Sequence, residues 1–445
     1  MDGHRPLFTA LALFAVTLCG STSIAGLAPA HADEVTDWNV IALEVLALGG
    51  QNPVVATRGV AMAHLAVHDA LNAIDRRYEP YVYDARSEPG AAPAAAVAAA
   101  MRVVLIGALP GFGTPEQHAK AKERVEAAYV AALAKIPEGR ARQDGIAAGQ
   151  AAASAMLTLR KADGAIAQMA YTPGTQPGQW RPHPNPVPAN PPIADANLAA
   201  GNQPSMLPQW GHMTPFIMRA PWQFRLRPPP ALTSEIYTRD YNEVKRLGGK
   251  QSPARTAAQT EIARFWYEGS VQGWNRIARL VAAQRSLDRW EHARLFALLN
   301  AAMADGYIAG ADTRYLYNFW RPVTAIRAGD ADGNDATAGD PTWETFMNTP
   351  ALPDYPSTHS VLGGAAAVVM SRFFGTDQLS FTMTSGPPFA GITRSFKSLS
   401  EAQEENGDSR VYSGIHFRNS TVAGILQGEQ IGRQAFAQYL QPYRP

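Results

Sequence analysis

Fifteen of the chain's 34 prolines fall between residues 173 and 230. Proline lacks a backbone N–H and its ring clashes with the preceding helical turn, so no long helix crosses that stretch. The same missing donor excludes a central strand. The segment therefore divides the 445 residues into two parts. Both flanks carry apolar residues at helical spacing, no run of alternating strands is evident, and no short internal repeat implies a solenoid. The expectation is an all-α protein: two helical bundles packed together, residues 33–172 and 251–445, joined by an irregular, surface-wrapped connection over 173–250.

Local signals sharpen this outline. Apolar residues recur at helical spacing from Asp37 to Ile74, with His64 and His68 four apart. That spacing suits a zinc pair, but the helix is otherwise apolar with only Asp69 adjacent, which favours hydrogen-bonded core histidines. Residues 90–161 are alanine-rich. Within them Thr114-Pro115-Glu116-Gln117 offers an N-cap, a first-turn proline and a glutamine to close a capping box, starting a helix to about Ile136. Beyond the connection, Ser252-Pro253 reads as a cap and first-turn proline for a helix through Phe265-Trp266; others fit Leu287 to Asp312 and Thr421 to Tyr439. In the polar stretch 328–341, Asp330, Asp332 and Asn334 hint at a calcium loop. Its glycine is misplaced and Pro341 stands where the bidentate acid is needed, so a turn-rich loop is the better reading.

The first residues read as an address. Leu7 to Leu18 is apolar but too short to span a bilayer, and Ala30-His31-Ala32 is a small-x-small cleavage signature before Asp33. Residues 1–32 are thus expected to be a signal peptide and the chain to be exported. The single cysteine, Cys19, lies within it, which leaves the mature chain no disulfide, thiolate metal site or cysteine nucleophile. Lys plus Arg (39) nearly balances Asp plus Glu (38), arguing against a nucleic-acid surface or a polybasic membrane anchor. Functional positive charge must be local.

Three blocks in the last third supply it. Arg314 and Arg321 lie seven apart, a spacing that puts both on one side of a helix ended by Pro322. Tyr355-Pro356-Ser357-Thr358-His359 opens a small-residue helix to Phe374 capped by Gly375. A hydroxyl, free N–H groups and the positive helix end then coincide, which makes an anion seat. Glycines 363 and 364 would let that helix pack close to a neighbour. Ser409-Arg410, followed by His416, adds another arginine and imidazole.

In order and spacing these blocks resemble the three-part motif of the superfamily of vanadium-dependent haloperoxidases and type 2 phosphatidic acid phosphatases: Lys-x6-Arg-Pro, Pro-Ser-Gly-His and Ser-Arg-x5-His-x3-Asp. The chain reads Arg314-x6-Arg321-Pro322, Pro356-Ser357-Thr358-His359 and Ser409-Arg410-x5-His416-x3-Ser420. Residues 63–70 and Phe265-Trp266-Tyr267-Glu268-Gly269-Ser270 are similar to segments of the bacterial and fungal haloperoxidase branch. The resemblance implies vanadate as cofactor, with phosphate able to occupy the same site, and hydrogen peroxide and a halide or small organic molecule as substrates. It implies His416 as the vanadium ligand, or the nucleophile if the centre is phosphorus. Arg314, Arg321, Arg410, Ser357 and the Thr358 N–H would hold oxygens, His359 would act as general acid/base, and Glu268 would brace one of the arginines.

Arg314, Thr358 and Ser420 depart from the family's lysine, glycine and aspartate, and Leu352 and Ala311 stand where some chloroperoxidases carry aromatics near the halide. From the Ser420 departure, weak orientation of His416 is expected. Three function classes follow: a peroxidase, an acid phosphatase working through a phosphohistidine at His416, or a non-catalytic oxyanion binder. The long N-terminal half and Glu268 favour the first.

Overall fold

The computed structural model describes residues 33–193 and 205–444, so the expected signal peptide and Cys19 lie outside the described residues. Thirteen α-helices and one short hairpin occur among those described. The Asp37–Ile74 pattern is two helices, α1 (Glu34–Leu48) and α2 (Pro53–Ile74). Gly50 turns between them at φ 78°, and Asn52 caps α2 by accepting from the Val54 and Val55 N–H groups. Next come α3 (Pro93–Gly107), α4 (Pro115–Leu133) and α5 (Arg140–Arg160). The capping box of Thr114 and Gln117 forms as expected.

The expected connection is not irregular throughout, because its last, proline-free stretch forms α6 (Glu235–Leu247); α7 (Ala257–Phe265), α8 (Ser270–Ala282) and the long α9 (Arg289–Tyr317) follow. Then follow α10 (Pro322–Arg327), α11 (Thr358–Phe374), α12 (Leu399–Tyr412) and α13 (Arg418–Gln438). Helix α7 starts later than expected. Ser252 accepts from the Arg255 N–H within a turn, and Thr256 with Gln259 forms the actual capping box. The hairpin, Phe381–Thr384 against Thr393–Phe396, was not anticipated; at four residues a strand it is too short to leave a clear alternating pattern.

The two halves share one continuous core, running from Val35 to Leu440, in which nearly all of α2 and α9 is buried. Their junction is polar at one place. Asn39 Nδ2 reaches His64 Nε2 at 2.9 Å and Asn275 Oδ1 at 2.7 Å, and Asn275 donates to Asn300 at 2.7 Å. His64 stacks on Phe296, while His68 Nε2 lies 3.0 Å from the Glu79 carbonyl oxygen. Both histidines are therefore structural. The polar loop is likewise a set of turns, with Asp332 accepting from the Asn334 N–H and the Thr337 hydroxyl.

The proline-rich connection does not merely wrap the surface. Trp180, Trp210, Met213 and Ile217 are buried. A chain without ladder partners must find acceptors elsewhere, and Asp305 of α9 supplies them, accepting from the Phe216, Ile217 and Met218 N–H groups at 2.7–2.8 Å. The close packing foreseen for α11 is realised against α13: a Cβ at Gly428 would sit 1.9 Å from the Val361 carbonyl oxygen, and one at Gly364 2.3 Å from that of Ile425. No helix among the described residues is long and apolar enough to cross a membrane.

Candidate functional site

Helix α9 delivers Arg314 in its last turn and then stops, because Asn318 turns left-handed at φ 49°. Arg321 is not on that helix. It is the N-cap residue of α10, and Pro322 begins a helix rather than ending one. The two arginines thus approach from different elements, correcting the single-helix expectation. Ser357 caps α11, and its backbone N–H is held by the Ser420 carbonyl oxygen at 2.9 Å, tying the α11 start to α13. Arg410 lies in the last turn of α12, and His416 in the short link to α13.

These elements enclose a cavity of about 210 Å³ lined by Arg314, Arg321, Arg410, Thr358, His359 and His416. Ser357 is fully buried at the start of α11 and is not among the residues lining the cavity; its hydroxyl oxygen accepts from the Ser360 hydroxyl at 3.0 Å. Arg314 Nη2 donates to the Pro356 carbonyl oxygen at 2.7 Å and to Thr358 Oγ1 at 3.3 Å, leaving Nε buried and unpaired. Arg321 Nε donates to the Leu352 carbonyl oxygen at 2.7 Å and its Nη2 is unpaired. The Arg410 guanidinium makes no hydrogen bond among the described residues and lies 5.8 Å from the Tyr267 ring centroid. Burial pulls all three below the usual arginine value, Arg314 and Arg410 to about 10 and Arg321 to about 9. Three guanidiniums with donors aimed at no protein acceptor make a seat for a doubly charged, multi-oxygen anion.

Each imidazole has an assignable tautomer. A guanidinium only donates, so His416 Nε2, 2.9 Å from Arg321 Nη1, is the bare nitrogen and Nδ1 carries the proton. Nδ1 lies 2.9 Å from Asp354 Oδ1, a contact that is electrostatic rather than an aligned hydrogen bond. The Ser420 hydroxyl donates to Asp354 Oδ2. Burial raises the Asp354 carboxyl to about 7 against the opposing pull of Arg321. His416 therefore does not lack an acid. Ser420 binds a carboxylate supplied by the loop ahead of α11, which corrects the weak-orientation expectation. The sequence signal was present beside the motif, in Pro353-Asp354-Tyr355-Pro356. His359 Nε2 lies 2.9 Å from the Trp266 carbonyl oxygen, which only accepts, so Nδ1 is its basic nitrogen. Burial and then Arg410 hold His359 well below the usual histidine value, so it is neutral.

Glu268 borders the cavity but reaches none of the three cage arginines. Arg276 grips it with two contacts at 2.8 and 3.0 Å, and the Gly386 N–H donates to it at 2.9 Å. The bracing expectation is overturned, since α8 supplies this carboxylate with its own arginine. The Thr358 substitution is compensated locally: its methyl lies where a Cβ at Gly310 would be, 2.5 Å away. Leu352 lines the chamber with Val54 and Met206, whereas Ala311 lines, with Trp210, a small adjoining cavity that Leu352 and Arg314 also border.

Fold and cavity together define a two-bundle helical protein with a buried, cation-lined chamber. A family model described as the VCPO second helical-bundle domain matches residues 294–444. A curated relative, the vanadium chloroperoxidase of Curvularia inaequalis, is 27% identical over 267 residues, covering 44% of this chain and 43% of the relative, so the chain spans less than half of that protein's length. Among solved structures, a bacterial vanadium-dependent iodoperoxidase has the same fold, with a TM-score of 0.74, 23% identity, and coverage of 92% of this chain and 98% of that one. A bacterial vanadium-dependent chloroperoxidase in its holo form has a TM-score of 0.69, 19% identity, and coverage of 87% and 93%. Residues 294–444 thus match the second helical-bundle domain of that family, and the fold across the chain is the one seen in vanadium-dependent haloperoxidases.

Proposed function

We propose that the protein is a vanadate-dependent peroxidase that uses hydrogen peroxide to oxidise iodide, bromide or a small organic acceptor. The observation that carries this reading is the set of buried, unpaired guanidinium donors on Arg314, Arg321 and Arg410 around His416. Arg314, Arg321, Arg410, Ser357 and the Thr358 N–H would hold vanadate oxygens, with His416 Nε2 as the ligand. Bound vanadate would supply the Lewis-acid centre at which peroxide becomes an oxidant.

The chain's own groups do the rest. The arginines neutralise charge on the oxygens without giving up protons. Asp354 favours the His416 proton on Nδ1, so Nε2, which accepts from Arg321 Nη1 here, is the nitrogen that would turn its lone pair to the ligand. His359 Nδ1, neutral and facing the chamber, takes up a proton from peroxide entering it. Val54, Met206 and Leu352 give the chamber an apolar side, which suits a weakly hydrated halide better than chloride. The likeness to an iodoperoxidase and to chloroperoxidases supports the peroxidase class.

A second reading, phosphate-monoester hydrolysis through a phosphohistidine, gains from one observation: Asp354 beside His416 Nδ1 would stabilise the charge a nucleophilic imidazole acquires. One purified sample discriminates. The peroxidase reading expects iodide oxidation that requires both orthovanadate and peroxide. Phosphate-ester hydrolysis in vanadate-free protein, without such oxidation, would establish the other.

We also propose export, with a mature chain beginning at Asp33. That residue caps α1 and its carboxylate lies 2.8 Å from His292 Nδ1, so the folded structure uses it from the first atom after the proposed cut. N-terminal sequencing of secreted protein tests this; a start at Met1 would refute it.

A further inference from the structure

Tyr307 and Arg314 lie seven apart on one face of α9 and both line the chamber; Ala311, on the same face, lines a small cavity beside it. Tyr307 is 7% exposed and lines the cavity, yet its hydroxyl makes no hydrogen bond among the described residues. Its place is held by the backbone. Cβ atoms at Gly306 and Gly310 would meet Val361 Cγ1 at 3.2 Å and Thr358 Cγ2 at 2.5 Å, so α11 seats closely on both sides of it.

The carboxylates around the chamber are already engaged. Arg314 and Arg410 near it only donate. Glu268 is taken by Arg276 and the Gly386 N–H, and Asp354 by Ser420, His416 and Arg321. Burial raises the phenol to about 12 although both arginines pull it down, so it keeps its proton throughout the working range. A protonated phenol that lines the cavity without a hydrogen bond to the protein has a donor to spare, and an anion in the chamber would accept it more strongly than water does.

We propose that the Tyr307 hydroxyl is a further hydrogen-bond donor to the tetrahedral oxyanion held in the chamber, a binding contact outside the three-part motif. This rests on the anion-seat reading above. A donor from α9 would supplement the arginines from the part of the lining that includes Val54.

The test compares the wild-type chain with Y307F and Y307L, using phosphate and orthovanadate as probes and calorimetric binding as the readout. Wild type should bind both anions, and each variant about tenfold more weakly, the loss of one hydrogen bond to a charged acceptor. Thermal midpoints without anion should agree between wild type and Y307F. In wild type, phosphate should also perturb the tyrosine absorption band, and Y307F should lack that perturbation. Equal affinities in wild type and Y307F would overturn the role of Tyr307 while leaving the seat intact. A wild type that binds neither anion would overturn the seat, and this proposal with it. If neither variant folds, the wild-type spectrum decides, since a tyrosine band unmoved by phosphate overturns the contact.

Discussion

Asp354 Oδ1 stands 2.9 Å from His416 Nδ1, although Asp354 precedes the middle block of the C-terminal constellation and His416 belongs to the last. The Ser420 hydroxyl holds the other oxygen of that carboxylate. Asp354→Asn should therefore weaken vanadate binding by roughly 10- to 100-fold, the usual cost of losing a partner that orients a metal-ligating histidine. Ser420→Asp, which the motif alone would recommend, should weaken binding too, because it drives a second buried carboxylate against the first. Titration calorimetry with orthovanadate measures both. A Ser420→Asp protein that binds more tightly than wild type would mean that Asp354 is not the orienting acid.

The cage carries three buried guanidiniums against one buried carboxylate, so it holds two excess positive charges when Asp354 is ionised. Uncompensated buried charge is costly. Arg410→Met should leave the anion-free protein as stable as wild type or more so, while removing most of its anion-dependent stabilisation. Wild type should gain about 2.7 kcal/mol at an anion concentration 100 times its dissociation constant. Thermal melts with and without phosphate check this. An Arg410→Met protein that is much less stable without anion would assign the arginine a packing role instead.

The fold class was legible because its determinants are local. Proline density marked the connection, and caps such as Thr114 with Gln117 marked helix starts. The charged residues of the motif were legible too: Arg314, Arg321, Arg410, His359 and His416 line one cavity. What escaped were pairings between distant segments. A buried carboxylate is chosen by whichever donor lies nearest in space, and nothing in spacing reports that Glu268 belongs to Arg276, Asp354 to His416, or Asp305 to the backbone of residues 216–218. The left-handed turn at Asn318, which separates Arg314 from Arg321, was hidden by a spacing that fits a continuous helix equally well.

Stability should fall in mild acid, with a sign set by buried imidazoles. Burial lowers His64 to about 3 and His68 and His183 to about 4, and holds His359 and His416 well below the usual value of 6.5. Stability from such depressed groups is complete above 6.5 and is lost as pH falls toward the folded values. Burial raises Asp69 and Asp305 to about 6 and Asp354 to about 7. Their contribution runs the other way, present below the unfolded value of 3.8 and lost as pH rises through 6 to 7. The five imidazoles outweigh the three strongly raised carboxyls near pH 5, so the unfolded chain binds more protons there and stability falls on acidification, by about 1.4 kcal/mol per pH unit for each excess proton. His64→Gln should reduce that slope by about one proton. Urea midpoints between pH 6.5 and 4.5, in phosphate-free buffer, test it; stability that rises on acidification would reverse the balance drawn between the two sets.

Helices α11 and α13 meet through glycines, and that contact sets the seat. A Cβ at Gly428 would lie 1.9 Å from the Val361 carbonyl oxygen and 2.7 Å from the Ala365 nitrogen, and one at Gly424 would lie 2.5 Å from the Ser357 carbonyl oxygen. These are backbone atoms of a buried helix, so no rotamer change relieves the overlap and the helices must separate. Gly428→Ala should cost about 2 kcal/mol or more in unfolding free energy, within the range for overpacking. It acts a turn or more into α11, away from Ser357, so anion affinity in the folded fraction should change little. Gly424→Ala acts at the helix start, where Ser357 also receives the Ser420 carbonyl oxygen on its N–H. It should cost similar stability and weaken phosphate binding severalfold as well. Urea denaturation and calorimetry on the two variants separate these effects. Equal losses of affinity in both would show that the seat responds to general loosening of the pair rather than to the position of Ser357.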